Sequence, residues 1–242
     1  MSKYSTRRPM SLLHIISLSL AHAFSFIALA MVIYWATAEA DNTFFLGGLG
    51  FSGNALFNWH PVLMVAGMVT AFTQAILAYR TLPLGKETNK KIHGAFMLLA
   101  CVFITLGLVA VFQYHNEELY ANLYTMHSWA GIAVVTLFFA NYVGGFISFF
   151  AGLVPQSIKE RYLPKHTFLG VFTYIAAAFT VVLGIQDKNS MMGCGYSVTL
   201  EEADVNPASH YGDIYAGCRL SNGLGIVVIV TCLLASFVVM DR

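Results

Sequence analysis

Charge is what this chain of 242 residues has least of: Lys, Arg, Asp and Glu together make up 10% of it, against 57% hydrophobic residues. Globular water-soluble domains carry about 25% charged residues, so an ordinary soluble fold is excluded. Asp and Glu are missing from the cores of the apolar segments beyond the first. That speaks against a carrier of metal ions or protons, which places ionisable groups through the membrane midplane. Cysteine is scarce, four in all, and no C-x-x-C-H string occurs, which excludes covalent c-type haem. No low-complexity tract and no clear long-period repeat is present.

What is there instead is a set of long apolar runs. An α-helix crosses the hydrocarbon core in about 20 residues, and six runs meet that length, roughly 10–35, 57–79, 92–113, 123–150, 166–186 and 220–240. We expect an all-α membrane protein whose single domain takes up residues 1–242, with no soluble domain. A small-residue pattern at Ala36-Thr37-Ala38 imitates a signal cleavage site, but the apolar run before it is too long for a signal core and is read as an uncleaved first helix.

The net charge of +1 conceals an asymmetry. Threaded through six spans, Lys3, Arg7, Arg8, Arg80, Lys86, Lys90, Lys91, Lys159, Arg161, Lys165 and Arg242 fall on one side, and only Lys188 and Arg219 on the other. Basic loops stay in the cytoplasm, so both termini are expected there. Most acidic residues, including Glu117, Glu118, Glu201, Glu202, Asp204 and Asp213, fall outside.

Four histidines, His60, His93, His127 and His166, stand near the starts of the second to fifth runs, 33, 34 and 39 residues apart. Successive spans alternate in direction, so His60 and His127 share the outer face, and His93 and His166 the cytoplasmic one. Imidazoles at membrane depth are costly and usually functional. Two per layer, without Cys, Asp or Glu at the same depth, leave a zinc or copper site incomplete, whereas haem iron needs only two axial ligands. The expected cofactors are therefore two non-covalent haems b, held by helices two to five as a four-helix core. Helix rise puts the layers on the order of 20–30 Å apart. Placement at helix starts would give all four imidazoles a positive helix-end field.

Gly131 and Gly170 each follow a ligand candidate by four residues. With four histidines at matched depths they are read as admitting the flat macrocycle, the alternative being close helix packing. Phe72, Phe138 and Phe139 fall between the layers and receive no redox role. Cys101 and Cys232 are read as core packing, while Cys194 and Cys218 share an outer loop and could pair. His14 and His22 lie on one face of the first helix; His22, near mid-membrane with no evident partner, is read as a polar packing or hydrogen-bonded residue, with proton handling as the lesser alternative. His210 is read as a solvated loop residue. His115 stands at the outer mouth, within reach of the His60–His127 layer.

The strings FNWHP (57–61), YR (79–80), KKIHG (90–94), YHNEE (114–118), NLYTMHSWAG (122–131) and LPKHTFLG (163–170) resemble the cytochrome b-561 family of ascorbate-dependent transmembrane cytochromes, in order and spacing over helices two to five. The resemblance implies a six-helix protein, commonly a homodimer, with two haems b. Cytoplasmic ascorbate would give electrons singly to monodehydroascorbate or a ferric chelate on the other side. Carried over by position, His60 with His127 would hold the outer haem and His93 with His166 the cytoplasmic one. Arg80, Lys86 and Lys90, with Lys91 and Arg161 nearby, would form the ascorbate site, where Lys90 is the candidate to assist proton release. His115, Asn116 and Tyr124 would form the outer substrate site. The chain departs from the pattern at Met97, where many members carry a further histidine, in its first-helix histidines, and in a longer loop holding Cys194 and Cys218. The expected partners are those two substrates and the lipid bilayer, not nucleic acid, in a plasma, secretory, lysosomal or vacuolar membrane. The rival readings are a cytochrome subunit of a larger oxidoreductase and a histidine-based metal or proton transporter.

Overall fold

The computed structural model of the protein describes residues 10–39, 44–81, 84–194 and 214–240. Six helices, each long and apolar enough to cross a membrane, make up the described residues: α1 (Leu12–Thr37), α2 (Gly53–Thr81), α3 (Lys86–Glu117), α4 (Met126–Phe150), α5 (Gln156–Met192) and α6 (Ala216–Met240). No strand occurs among the described residues. Lys3, Arg7, Arg8, Arg242, His210, Glu201, Glu202, Asp204 and Asp213 lie outside them, so the charge asymmetry is visible here only through the remaining residues.

α2 is the central helix. Its apolar window is 72% buried, against 28–44% for the other five, because it packs against α1, α3, α5 and α6 together. α4 packs chiefly on α5, and α3 and α4 hardly touch. α1 also packs closely on α6: Ser17, Ala21, Ser25, Ala28 and Ala36 are buried small residues of α1, and on α6 a Cβ at Gly223 would lie 3.5 Å from Met31 of α1. Without a hydrophobic drive between helices in lipid, such small residues let backbones approach. The leucines and valines at Leu98, Leu99, Val102, Leu106 and Val109 are exposed, as a lipid-facing side of α3 should be.

Local chemistry fixes the ends that matter. Thr125 and Ser128 form a capping box, each side chain accepting from the other's backbone N–H, which starts α4 one residue before His127. Gly193, at φ +76°, closes α5 in the left-handed cap that glycine tolerates. Cys194 follows at once and is bonded to Cys218, so the pairing left open by the sequence is made. Cys218 is not in a loop as expected; it lies in the first turn of α6, almost wholly buried, and the bond ties the outer end of α5 to the outer start of α6.

The α2–α3 and α4–α5 connections are shorter than the sequence suggests. The stretch Pro155 to Lys165, which falls between two of the apolar runs, is helical from Gln156 onward. Polar residues prolong a helix into water when they support one another at i,i+4, as the Gln156 Nε2 to Glu160 Oε1 bond of 2.9 Å does. α5 thus continues through Pro164, whose absent N–H leaves the Glu160 carbonyl without its helical donor. α3 likewise begins at Lys86 rather than 92, with a Lys90–Glu87 ion pair in its first turn. His93 and His166 consequently sit about two turns or more inside their helices, whereas His127 is in a first turn and His60 is the second residue of the segment Trp59–Met64, which a turn at Asn58 sets off from Gly53–Phe57. A helix-end field fades beyond one turn, so the field expected at all four histidines is lost at His93 and His166.

Candidate functional site

The four helices α2 to α5 are two hairpins that exchange hydrogen bonds in one pattern. His60 on α2 donates from Nδ1 to the Gly107 carbonyl on α3 at 3.0 Å, and His93 on α3 donates from Nδ1 to the Ala75 carbonyl on α2 at 2.9 Å. His127 on α4 donates to the Thr180 carbonyl on α5 at 2.9 Å. His166 on α5 reaches Asn141 Oδ1 on α4 at 2.9 Å, while Asn141 Nδ2 donates to the His166 carbonyl at 3.2 Å. Since Asn141 gives its N–H₂ to that carbonyl, its Oδ1 is the acceptor. All four Nδ1 atoms therefore face acceptors and carry the proton, and in the neutral ring Nε2 is left as a bare lone pair.

The same spacing recurs along each helix. From histidine to acceptor is 14 residues in α3 (His93 to Gly107), α4 (His127 to Asn141) and α5 (His166 to Thr180), and 15 in α2 (His60 to Ala75). The extra residue of α2 coincides with a π-helical stretch, Val65–Ala71. A π-turn absorbs one inserted residue within a helix, so Ala75 comes back to the depth the other three acceptors have. Fourteen residues at about 1.5 Å each place the two layers roughly 21 Å apart, at the short end of the expected range.

Each layer brings two rings together from diagonal helices. The His60 and His127 rings lie with centroids 6.1 Å apart at 81°, and the His93 and His166 rings 6.3 Å apart at 78°. A metal–imidazole bond is about 2 Å, and a ring centroid lies about 1.2 Å behind its nitrogen, so one metal ion between two facing Nε2 atoms accounts for a separation a little over ~6 Å. No group of three His, Cys, Asp or Glu able to hold a metal occurs among the described residues. A two-ligand iron with its other four positions filled by a macrocycle matches this donor set, and α3 and α4, which flank the histidine layers, hardly touch one another.

Glycines shape both layers, though not the two singled out in the sequence. A Cβ on Gly184 would lie 2.7 Å from His127 Cε1, and one on Gly145 would lie 2.7 Å from His166 Cε1. Each of these glycines stands four residues beyond the acceptor that holds the same histidine, Thr180 for Gly184 and Asn141 for Gly145, and so shares its helix face. By contrast a Cβ on Gly131 would meet Thr180 Cγ2 at 3.8 Å, and one on Gly170 would meet Asn141 Nδ2 at 3.4 Å. Gly131 and Gly170 serve α4–α5 packing, the second of the two readings the sequence allowed.

Between the layers, Phe72 contacts Phe138 (5.4 Å) and Tyr174 (5.1 Å), and Phe139 packs on Phe138 (5.6 Å). The Tyr174 hydroxyl and Thr73 Oγ1 are 2.5 Å apart, which satisfies a phenol buried in an apolar core. Cys101 and Cys232 are free and buried, as expected of packing residues.

At the end of the bundle nearer the His93–His166 layer, Tyr79 lies 5.7 Å from the His93 ring, and Tyr162 and Phe149 lie 5.9 and 5.4 Å from the His166 ring. Arg80 is the last residue but one of α2, Lys86, Lys90 and Lys91 occupy the first two turns of α3, and Arg161 lies next to Tyr162 in α5. Lys86, Lys91 and Arg161 are exposed. Lys90 Nζ is 2.6 Å from Glu87 Oε2, so an anion approaching Lys90 shares it with that carboxylate.

At the opposite end of the bundle, His115 is ringed by Tyr114, Tyr120 and Tyr124 at 5.9–6.3 Å. Asn116 Oδ1 accepts from Asn122 Nδ2 at 2.9 Å, so His115 and Tyr124 meet while Asn116 turns along the loop. That loop holds two non-glycine residues in the left-handed region, Leu119 at φ +59° and Leu123 at φ +56°. Ring contacts run inward from Tyr114 to Phe57 (5.3 Å) and from Phe57 to His60 (6.1 Å). Over Phe57 stands Lys188 Nζ, 4.4 Å from the ring centroid, a cation–π contact. Sequence reasoning counted Lys188 only as an exception to the charge bias. It missed Asn141 as well, although a lone amide midway along an apolar helix signals a partner to be found.

Residues 59–192, more than half the chain, match the family model described as eukaryotic cytochrome b561. A probable ascorbate-specific transmembrane electron transporter of Oryza sativa subsp. japonica is 38% identical over 172 residues, covering 69% of this chain and 71% of that protein. A transmembrane ascorbate ferrireductase of Arabidopsis thaliana is 37% identical over 178 residues, 72% of each chain. A lysosomal membrane ascorbate-dependent ferrireductase of Danio rerio is 32% identical over 204 residues, 82% of this chain and 76% of that one. The matched region opens one residue before His60 and closes one residue before the Gly193 cap, so it holds both crossed histidine pairs and every acceptor that orients them, and the chain belongs to the eukaryotic cytochrome b561 family.

Proposed function

We propose that the protein passes electrons from cytoplasmic ascorbate across the membrane to monodehydroascorbate or a ferric chelate on the opposite face, using two haems b, one held by His60 and His127 and one by His93 and His166. The observation that carries this reading is the pair of facing imidazoles in each layer, every one with its Nδ1 proton committed to a neighbouring helix. Ascorbate-dependent transmembrane oxidoreduction is the activity named for its relatives. When bound, the two haems supply one-electron redox chemistry at two depths.

The chain's own residues do the rest. Hydrogen bonds to Nδ1 fix the tautomer and orientation of each ligand and raise its basicity. Three of the four acceptors are backbone carbonyls, which no substitution removes; Asn141 alone is a side chain. Asn141→Leu should therefore weaken retention of the cytoplasmic haem by about 10–100-fold, read as the rate of haem transfer to an apoglobin acceptor, with the outer haem unaffected.

Arg80, Lys86, Lys91 and Arg161 form a cationic rim that raises the local concentration of the ascorbate anion, with Lys90 shared between ascorbate and Glu87. Tyr79 and Tyr162 close the space between that rim and the His93–His166 layer. On the other side His115, Asn116 and Tyr124 bind the acceptor, and Lys188 adds the positive charge an anionic chelate or radical anion requires. We place both termini in the cytoplasm on the strength of the basic residues at the α2, α3 and α5 ends facing that side, and the functional unit is a homodimer, as the resemblance implies.

The test is reconstitution into ascorbate-loaded vesicles with a ferric chelate outside. Reduction of the chelate that needs both the protein and internal ascorbate is expected. A rate no higher than in vesicles lacking the protein contradicts the proposal.

A further inference from the structure

His22, eleven residues into α1, is not the partnerless mid-membrane residue the sequence suggests. Both ring nitrogens face α2: Nδ1 is 2.7 Å from Gln74 Oε1 and Nε2 is 2.8 Å from Thr81 Oγ1. Thr81 ends α2, next to Arg80, so the imidazole lies toward the cytoplasmic mouth. Gln74 precedes Ala75, whose carbonyl orients His93.

The surrounding bonds decide which groups donate. Ser25 Oγ gives its proton to the His22 carbonyl at 2.8 Å and accepts from Gln74 Nε2 at 3.0 Å. Gln74 thus presents its oxygen to His22, and Nδ1 is the donor. Thr81 Oγ1 gives its own proton to the Leu77 carbonyl at 3.0 Å, so in this arrangement Nε2 is a donor too. A ring that donates from both nitrogens is an imidazolium. A single rotation of the Thr81 hydroxyl, turning its proton from Leu77 to Nε2, satisfies the neutral ring equally well.

We propose that His22 is a proton-binding site coupled to the cytoplasmic redox layer, an inference that rests on the function proposed above. Ascorbate monoanion loses one electron and one proton to become the monodehydroascorbate radical anion. The electron enters the His93–His166 layer; the proton converts neutral His22 to the imidazolium, and it returns to cytoplasmic water when the electron leaves outward. The other titratable or charged groups on the helices around His22 are His60, Tyr79 and Arg80 on α2, Tyr34 and His14 on α1, the latter stacked on Phe237 at 4.9 Å, and Arg219 and Cys232 on α6, the Cys232 thiol pointing to the Tyr174 carbonyl at 3.9 Å.

The test is a redox titration of the full-length protein at a series of pH values, followed at the haem absorption bands, in wild type and in His22→Gln. Glutamine keeps a donor and an acceptor but cannot take up a proton. In wild type the midpoint of the component lost in His93→Ala should fall as pH rises, since reduction takes up a proton. In His22→Gln that dependence should be lost while the other component is unchanged. Should His22→Gln fail to fold, Thr81→Val, which keeps the imidazole but removes the switching hydroxyl, should alter the same profile. Identical profiles in wild type and variant overturn the inference and leave His22 as a fastening between α1 and α2. Absence of any b-type haem in wild type would instead overturn the function on which the inference rests.

Discussion

Replacing His93 or His166 by alanine should remove the haem proposed for that layer and leave the one proposed for the His60–His127 layer in place. The two layers are separated by about four helical turns, roughly 21 Å along each helix, and share no ligand and no acceptor. His93 is held by Ala75 and faces His166, which is held by Asn141; none of these groups touches the His60–His127 pair. The loss of one axial nitrogen leaves iron with a single protein ligand, and the opposing ring cannot cross the gap to replace it. The purified variant should contain one haem per chain instead of two, with the outer component spectrally intact. His60→Ala and His127→Ala should give the complementary loss. Equal loss of both haems from a folded His93→Ala protein would show that the pairs are not the ones described.

The second large effect is expected from a methyl group. Gly184→Ala should empty the outer site, and Gly145→Ala the cytoplasmic one, each by tenfold or more in haem occupancy. An alanine Cβ at Gly184 would stand 2.7 Å from Cε1, 3.0 Å from Nδ1 and 3.2 Å from Nε2 of His127, closer than packed atoms tolerate. The ring cannot swing away cheaply, because its Nδ1 proton is bound to Thr180 one turn back on the same helix. Either that bond breaks or Nε2 turns out of line, and misorienting a metal-bound histidine costs about 10–100-fold in affinity. Helix propensity works in the opposite direction, alanine being better than glycine by about 1 kcal/mol, so haem loss would not reflect a weaker helix. Gly131→Ala is the control: its Cβ would meet only Thr180 Cγ2 at 3.8 Å, an ordinary contact, and both haems should remain. Haem counts unchanged in Gly184→Ala would contradict the close approach of α5 to His127.

The sequence revealed the spans and the pairing of histidines because both depend on counting: apolar length gives the number of crossings, and alternating direction assigns each imidazole to a face. The ends of α3 and α5 were not legible. Their polar first turns read as loop by hydropathy, whereas helix persistence there depends on i,i+3 and i,i+4 partners such as Glu87–Lys90 and Gln156–Glu160. Gly131 and Gly170 were chosen for their distance from a histidine on the same helix. Gly145 and Gly184 act from the neighbouring helix, and that relation appears only once α4 and α5 are packed. The disulfide between Cys194 and Cys218 could be raised from the sequence but not decided, and the partners of His22 were hidden, for the same reason. One pattern was present all along: 14 residues from histidine to acceptor in three helices and 15 in the fourth, a mismatch that has meaning only beside the π-helical stretch of α2.

The central claim is that each chain holds two haems b between its crossed histidine pairs and that ascorbate reduces them. Its most direct test is a pyridine haemochrome assay on the purified protein, paired with an absorption spectrum before and after ascorbate. The account predicts two non-covalent b-type haems per chain and a shift to the reduced spectrum on adding ascorbate. One haem or none per folded chain, or a spectrum that ascorbate leaves unchanged, would contradict it.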